Sequence, residues 1–154
     1  MNKILSKEHF SEKVVKLVVE APLIAKARRP GHFVIAICDE KGERIPLTIA
    51  DADPKNGTIT LVVQAIGEST ARICAKEPGE YLRDVVGPLG RATDIRRYGT
   101  VVCCGGGVGV APLLPILAAM KEAGNRVIAV LAARTRDLII LEEEVRRHAD
   151  EVII

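Results

Sequence analysis

The sequence predicts two unlike lobes, an antiparallel β-barrel followed by part of an α/β domain built on a parallel sheet. Three observations carry this. The first hundred residues alternate short β-branched runs with strong turn signals. From about Tyr98 the rhythm changes to strand, helix, strand, helix, strand. Where it changes, the apolar run Val101-Val102-Cys103-Cys104 leads straight into Gly105-Gly106-Gly107-Val108-Gly109-Val110-Ala111-Pro112. The boundary falls at Asp94–Tyr98, which gives lobes of residues 1–97 and 98–154.

In order, Val14–Val19 is β-branched and ends near Ala21-Pro22, where proline's missing donor discourages further pairing. Arg29-Pro30-Gly31 is a turn, His32–Ile37 a strand, and Asp39–Gly42 a hairpin loop into the strand Glu43–Ile49. Asp53–Gly57 is a second turn before the strand Thr58–Ile66. Gly67-Glu68-Ser69-Thr70 opens a short helix running to about Lys76, with Ser69 or Thr70 as its cap, and Pro78-Gly79 stops it. Tyr81–Val86 is extended and closes with Gly87-Pro88-Leu89-Gly90. The second lobe reads as strand Thr100–Cys104, helix Ala111–Ala123, strand Arg126–Ala132, helix Ile140–Arg147 and strand Glu151–Ile154. Its last strand is apolar and would need neighbours on both sides, so the chain is expected to be a fragment cut within that domain.

Composition narrows the classes. With 154 residues, 48% apolar and 27% charged, the chain is an ordinary globular one, and a net charge of +2 gives no reason to invoke nucleic acid or an anionic membrane. No apolar stretch approaches a membrane span and no signal peptide opens the chain, so a cytoplasmic protein is expected. The four cysteines, at 38, 74, 103 and 104, form no C-x-x-C pair, which excludes a complete zinc or iron–sulfur motif within the chain. Cys103 and Cys104 read as small buried residues of a strand, and Cys38, beside a turn, as more exposed.

The glycine cluster carries the chemistry. Without a Cβ its backbone turns sharply and lies close to a dinucleotide pyrophosphate, and the following helix points unpaired N–H groups and a positive dipole end at that charge. Pro112, where a third glycine would sit, suits the first turn of a helix. The bland alternative is a loop that merely joins a strand to a helix. Likewise Arg44 and Thr48 read equally as an exposed pair on an edge strand, and Ser69 and Thr70 as no more than a cap.

Four segments in order resemble the ferredoxin–NADP reductase superfamily: Pro30-Gly31-His32-Phe33, Arg44-Ile45-Pro46-Leu47-Thr48, Gly87-Pro88-Leu89-Gly90 and Gly105–Pro112. Within it the chain most resembles the branch holding dihydroorotate dehydrogenase electron-transfer subunits and the flavin subunit of sulfide dehydrogenase or NADH-dependent ferredoxin:NADP oxidoreductase, and Glu43–Asp51 and Ala133-Arg134-Thr135-Arg136-Asp137 are similar to the second of these groups. The resemblance implies FAD on the barrel. It implies Thr48 beside flavin N5 as the catalytic contact, Pro46 and Leu47 shaping the flavin-facing wall, and Arg44 on the FAD pyrophosphate. Backbone of Val62, Val63 and Gln64 would meet the flavin or ribityl, and Gly67, Ser69 and Thr70 would hold phosphate. NAD(P)H would lie on Gly105, Gly106, Gly107, Val108, Gly109, Ala111 and Pro112, with Arg134 near its ribose. A [2Fe-2S] cluster would belong only to a missing C-terminal part, and the partners would be an oxidoreductase subunit or a ferredoxin.

Three departures stand out, the first being Leu47, which stands where a flavin-stacking tyrosine is common in the family. Arg44 lies four residues before Thr48 where the family has three, which in a regular strand turns it to the other face; Pro46 is the candidate for a compensating bend. The acidic ribose reader expected near the end of the second nucleotide strand is replaced by Arg134 and Arg136, which fits a 2′-phosphate or a solvated loop. The implied function is electron transfer from NAD(P)H through FAD to single-electron carriers. A dihydroorotate dehydrogenase electron-transfer subunit is the alternative, and a flavin-free binding module is the reading from another class.

Overall fold

The computed structural model describes all 154 residues. Ten strands and four helices succeed one another: β1 (Asn2–His9), β2 (Val14–Glu20), α1 (Pro22–Ala27), β3 (Phe33–Ile37), β4 (Arg44–Asp53), β5 (Thr58–Gln64), α2 (Glu68–Ala75), β6 (Tyr81–Leu82), β7 (Asp84–Leu89), β8 (Thr100–Gly106), α3 (Val110–Glu122), β9 (Arg126–Ala132), α4 (Glu142–His148) and β10 (Glu151–Ile153). β1–β7 form one antiparallel sheet in the order β6-β1-β2-β5-β4-β3-β7, and β8–β10 a parallel sheet in the order β10-β9-β8. The expected fold class, a barrel followed by part of a parallel α/β domain, is the one observed.

The first sheet curls because its two edge strands are chain neighbours. β6 pairs with β1 and β7 with β3, and only Arg83 separates them, its N–H donating to the Cys38 carbonyl. Inward residues alternate along each strand, so Val15, Leu17, Val19, Val34, Ala36, Ile59, Leu61 and Val63 fill one core closed by Ile73 of α2. β1 has no counterpart among the strands the sequence predicts, and Pro22, expected to stop a strand, is the first residue of α1, where its lost N–H costs nothing. Tyr81–Val86 is divided at Arg83, and Gly87-Pro88-Leu89 continues β7 instead of following it.

The second core gathers Cys103, Val110, Leu117, Val127, Ala129, Leu131 and Val145 between the parallel sheet and helices α3 and α4. Ala50 of β4 belongs to it, so the barrel wall packs directly on α3. α4 starts at Glu142, two residues later than expected, because Leu141 takes a left-handed φ of 58°. The helices cover one face of the parallel sheet. On the other face Val102 and Ile153 are 58% and 47% exposed, and Cys104, Ile128 and Val130 lie in the same rows. Cys104 is therefore exposed and Cys38 buried, the reverse of expectation: strand alternation turns Cys104 to the bare face, while Cys38 continues the inward rows of β3.

One buried polar side chain ties the linker to this lobe. Asn125 is 2% exposed. Its Oδ1 accepts from the N–H groups of Tyr98 (2.6 Å) and Gly99 (3.0 Å), and its Nδ2 donates to the carbonyls of Arg96 and Met120, each at 2.9 Å. No helix is long and apolar enough to cross a membrane.

Candidate functional site

β8 ends in Gly105-Gly106, Gly107–Gly109 form a single 3-10 turn, and α3 follows at Val110 with Pro112 third in the helix. The glycines divide their work. A Cβ on Gly105 would stand 3.0 Å from Leu113 Cδ2 and 3.2 Å from Val110 Cα, so this residue lets the helix lie close against the strand. A Cβ on Gly106 would meet only the Ala132 carbonyl, at 3.8 Å, and one on Gly107 would meet nothing, though its φ of +54° suits glycine. Ala111 is buried beneath the turn, while Gly109 and Pro112 are half-buried.

A cleft of about 1040 Å³ opens above the C-terminal ends of β8 and β9, large enough for a dinucleotide. Gly106, Gly107, Val108 and Arg134 form one wall, joined by Asp137 and Leu138. Gln64 of β5 and the β1–β2 turn, Phe10–Val14, form the other. Arg136 is drawn away from it by Glu142, 3.0 Å distant, whose carboxyl is held below the usual range by its hydrogen bond to Arg146 and further by Arg136. Arg134 forms no ion pair and remains the free cation of that wall. Burial pushes the Cys103 thiol up, so it packs beside the loop as a neutral group.

On the barrel, β4 and β5 pair from Asp53 opposite Thr58 to Ile49 opposite Leu61, and part beyond that point. β4 stays regular against β3 from Arg44 to Thr48, with Ile35 opposite Pro46, so the expected bend at Pro46 is absent; the irregularity falls between Ile49 and Asp51. Arg44, Pro46 and Thr48 therefore share the outer face, with Arg44 roughly 13 Å along the strand from Thr48. The Leu47 side chain packs inward with Ile45 against the barrel core, so only its backbone reaches that face. Val63 is likewise buried inside the barrel, whereas Val62 turns outward against the second core and Gln64 is exposed.

At the start of α2 the cap is Gly67, not Ser69 or Thr70. Thr70 sits three residues on, and its hydroxyl accepts from the N–H groups of Ile66 and Gly67, both at 3.0 Å, while donating to the Gly67 carbonyl. That hydroxyl is fully engaged. Ser69 Oγ donates to Glu43 Oε2 at 2.9 Å. The N–H groups of Glu68, Ser69 and Thr70 have no partner within the helix, as at any helix start. The barrel's ion pairs join Lys7 to Glu77, Lys16 to Glu8, Arg28 to Asp51, Arg72 to Asp39 and Arg83 to Glu40, leaving Arg44 uncompensated. An unpaired arginine, a parted strand seam and free helix N–H groups on one side of the barrel fit an anionic, ring-bearing group such as FAD.

Of the far wall, Gln64 is expected from the sequence and the turn Phe10–Val14 is not. Its signal was the spacing Phe10-Ser11-Glu12-Lys13-Val14, a short polar turn ahead of a β-branched run, which becomes visible only once β1 is recognised.

No protein-family model matches the chain. Over 154 residues it is 43% identical to the dihydroorotate dehydrogenase B (NAD(+)), electron transfer subunit homolog of Thermotoga maritima, covering 100% of this chain and 55% of that protein. It is 30% identical over 147 residues to the dihydroorotate dehydrogenase B (NAD(+)), electron transfer subunit of Bacillus caldolyticus, covering 92% and 57%. A solved NADH-dependent reduced ferredoxin-NADP oxidoreductase superposes at a TM-score of 0.96 with 43% identity, over 99% of this chain and 56% of that one. The ferredoxin-NADP+ reductase of Plasmodium falciparum, at a TM-score of 0.78 and 12% identity over 99% and 69%, shares the fold. The chain spans about half the length of the curated relatives it matches.

Proposed function

We propose, from the premise that the chain belongs to the ferredoxin–NADP reductase superfamily, that it forms the flavin-holding and nucleotide-receiving part of an electron-transfer subunit. The subunit moves hydride between NAD(P)H and FAD and delivers electrons singly to a partner. The observation that carries this is the cleft shared by Gln64 of the barrel and Gly106, Gly107, Val108 and Arg134 of the parallel lobe. A glycine-lined, cation-bearing wall thus stands across from Gln64, at the end of the strand that also carries Val62.

Bound FAD would supply the hydride-accepting and single-electron chemistry. The residues of this chain bind and orient. Arg44, the first N–H groups of α2 and the Ser69 hydroxyl would hold the FAD phosphates, the last after releasing Glu43. Thr48 and Pro46 would meet the ring from the outer face of β4, with the Thr48 hydroxyl available to hydrogen-bond near its reactive nitrogen. Gly106 and Gly107 would offer backbone N–H groups to a dinucleotide pyrophosphate, and Arg134 would lie by its ribose. No side chain has to act as a strong acid or base, because face-to-face positioning supplies the rate. A [2Fe-2S] cluster, in this reading, is held outside these 154 residues.

A second reading changes only the partner. The relatives named as dihydroorotate dehydrogenase B subunits favour a catalytic partner whose reducing equivalents run toward NAD. Identifying the subunit that co-purifies with the chain separates the two. The test of the common core is reconstitution: incubation with FAD followed by desalting yields a yellow protein that anaerobic NADH or NADPH bleaches. A preparation that stays colourless overturns it.

A further inference from the structure

The tip of the β1–β2 hairpin is fixed by the barrel and meets the parallel lobe through Phe10. The N–H groups of Phe10 and Ser11 both donate to the Val14 carbonyl, at 2.9 and 3.3 Å, which makes the turn tight. The N–H of Ala65 donates to the Lys13 carbonyl at 2.8 Å, pinning the turn to the end of β5. Phe10 packs against the second core, and Lys16 Nζ lies 5.9 Å from the centre of its ring. The turn is thus a rigid wall of the cleft, opposite the glycine loop.

Of the charged groups in that cleft, two are cations, Lys13 on the barrel wall and Arg134 on the other, and two are carboxylates, Glu12 and Asp137. Lys7 and Lys16 of the same hairpin are each paired with a glutamate; Lys13 has no ion-pair partner. A carboxylate only accepts hydrogen bonds, so Glu12 and Asp137 suit ribose hydroxyls, and a phosphate falls to the cations and the glycine N–H groups.

We propose that the β1–β2 turn is the barrel's half of the nucleotide site, and that Lys13 binds the pyrophosphate of the dinucleotide from the side opposite Gly106 and Gly107. This rests on the nucleotide reading given above. The two lobes then close on one ligand, and the barrel contributes a specific charge to it. Because the turn is held by backbone bonds, Lys13 brings that charge with little ordering of the chain on binding.

The experiment measures ADP-ribose binding to the intact chain by calorimetry, for wild type, K13A and K13R, with adenosine as a phosphate-free control. K13A weakens ADP-ribose about tenfold, the order expected for one charge-assisted hydrogen bond at a partly solvated site. K13R keeps wild-type affinity, and adenosine binds all three alike. Raising the salt concentration narrows the gap between wild type and K13A. K13A binding ADP-ribose as tightly as wild type, or losing adenosine equally, overturns the role of Lys13 and leaves the nucleotide site standing. Wild type that binds no ADP-ribose overturns the nucleotide reading itself.

Discussion

Asn125→Ala tests how the parallel lobe is joined to its linker. In the native chain the side chain accepts from Tyr98 and Gly99 N–H and donates to the Arg96 and Met120 carbonyls. The Met120 carbonyl keeps a second donor, the Asn125 N–H at 3.2 Å, whereas the two N–H groups have no other protein partner. Two orphaned donors and the Arg96 carbonyl, at about 1–3 kcal/mol each if buried but partly relieved because Tyr98 and Gly99 are exposed to water, give a loss of about 2–4 kcal/mol. With a urea slope of about 2 kcal/mol/M the midpoint falls by roughly 1–2 M. Tyrosine emission reports it well, since Tyr98 is one of only two tyrosines and tryptophan is absent. Asn125→Asp is the control. Its carboxylate still accepts from both N–H groups but faces two carbonyls, which repel its charge and which only the protonated form can donate to. It is therefore as damaging as Ala at neutral pH and recovers as acid protonates it. A midpoint for Asn125→Ala within about 0.3 M of wild type refutes the reasoning, because that shift is less than a single net hydrogen bond.

Gly105→Ala costs about 1–3 kcal/mol by pushing α3 off the strand, whereas Gly106→Ala, with only the Ala132 carbonyl 3.8 Å from its new Cβ, keeps the melting temperature and loses nucleotide binding. Thermal melts paired with ADP-ribose titrations separate the two. Asp150 is held below the usual carboxylate range by its hydrogen bond to Lys121 and then by the Val127 N–H. Its contribution is complete above the unfolded carboxylate value and drains away as the pH falls through the depressed folded value; Asp150→Asn flattens that acid limb of the stability curve, read by melts across a pH series. Arg44→Ala lowers FAD retention about tenfold on desalting, the scale of one charged contact, while Thr48→Val retains FAD and slows its reduction by NAD(P)H in stopped flow.

Legibility in the sequence followed the range of the interactions. The hairpin at Asp39–Gly42 and the turn at Asp53–Gly57 were visible because a turn is written in its own few residues. The glycine loop was visible for the same reason, since its chemistry is done by backbone. β1 was not, because an alternation that fully buries only Ile4 is a weak signal. α1 is six residues long, too short for helical periodicity to declare itself beside a proline. The face of Leu47 depended on whether β4 bends at Pro46, which pairing with β3 decides and local sequence does not. The far wall of the cleft, Phe10–Val14, lies some fifty residues from Gln64 in sequence and meets it through the β2–β5 ladder. Only the folded chain brings them together.

The bare face of β8–β10 has a practical corollary. The barrel hides its two margins by joining them at Arg83, so little backbone there is free to recruit another strand. The parallel lobe has no such protection: an oily flank of Val102, Val130 and Ile153 adjoins the open rims of β8 and β10. Handled alone at high concentration, the polypeptide should self-associate through this lobe first, and a lysine or glutamate at position 102 should keep it dispersed without touching the cleft.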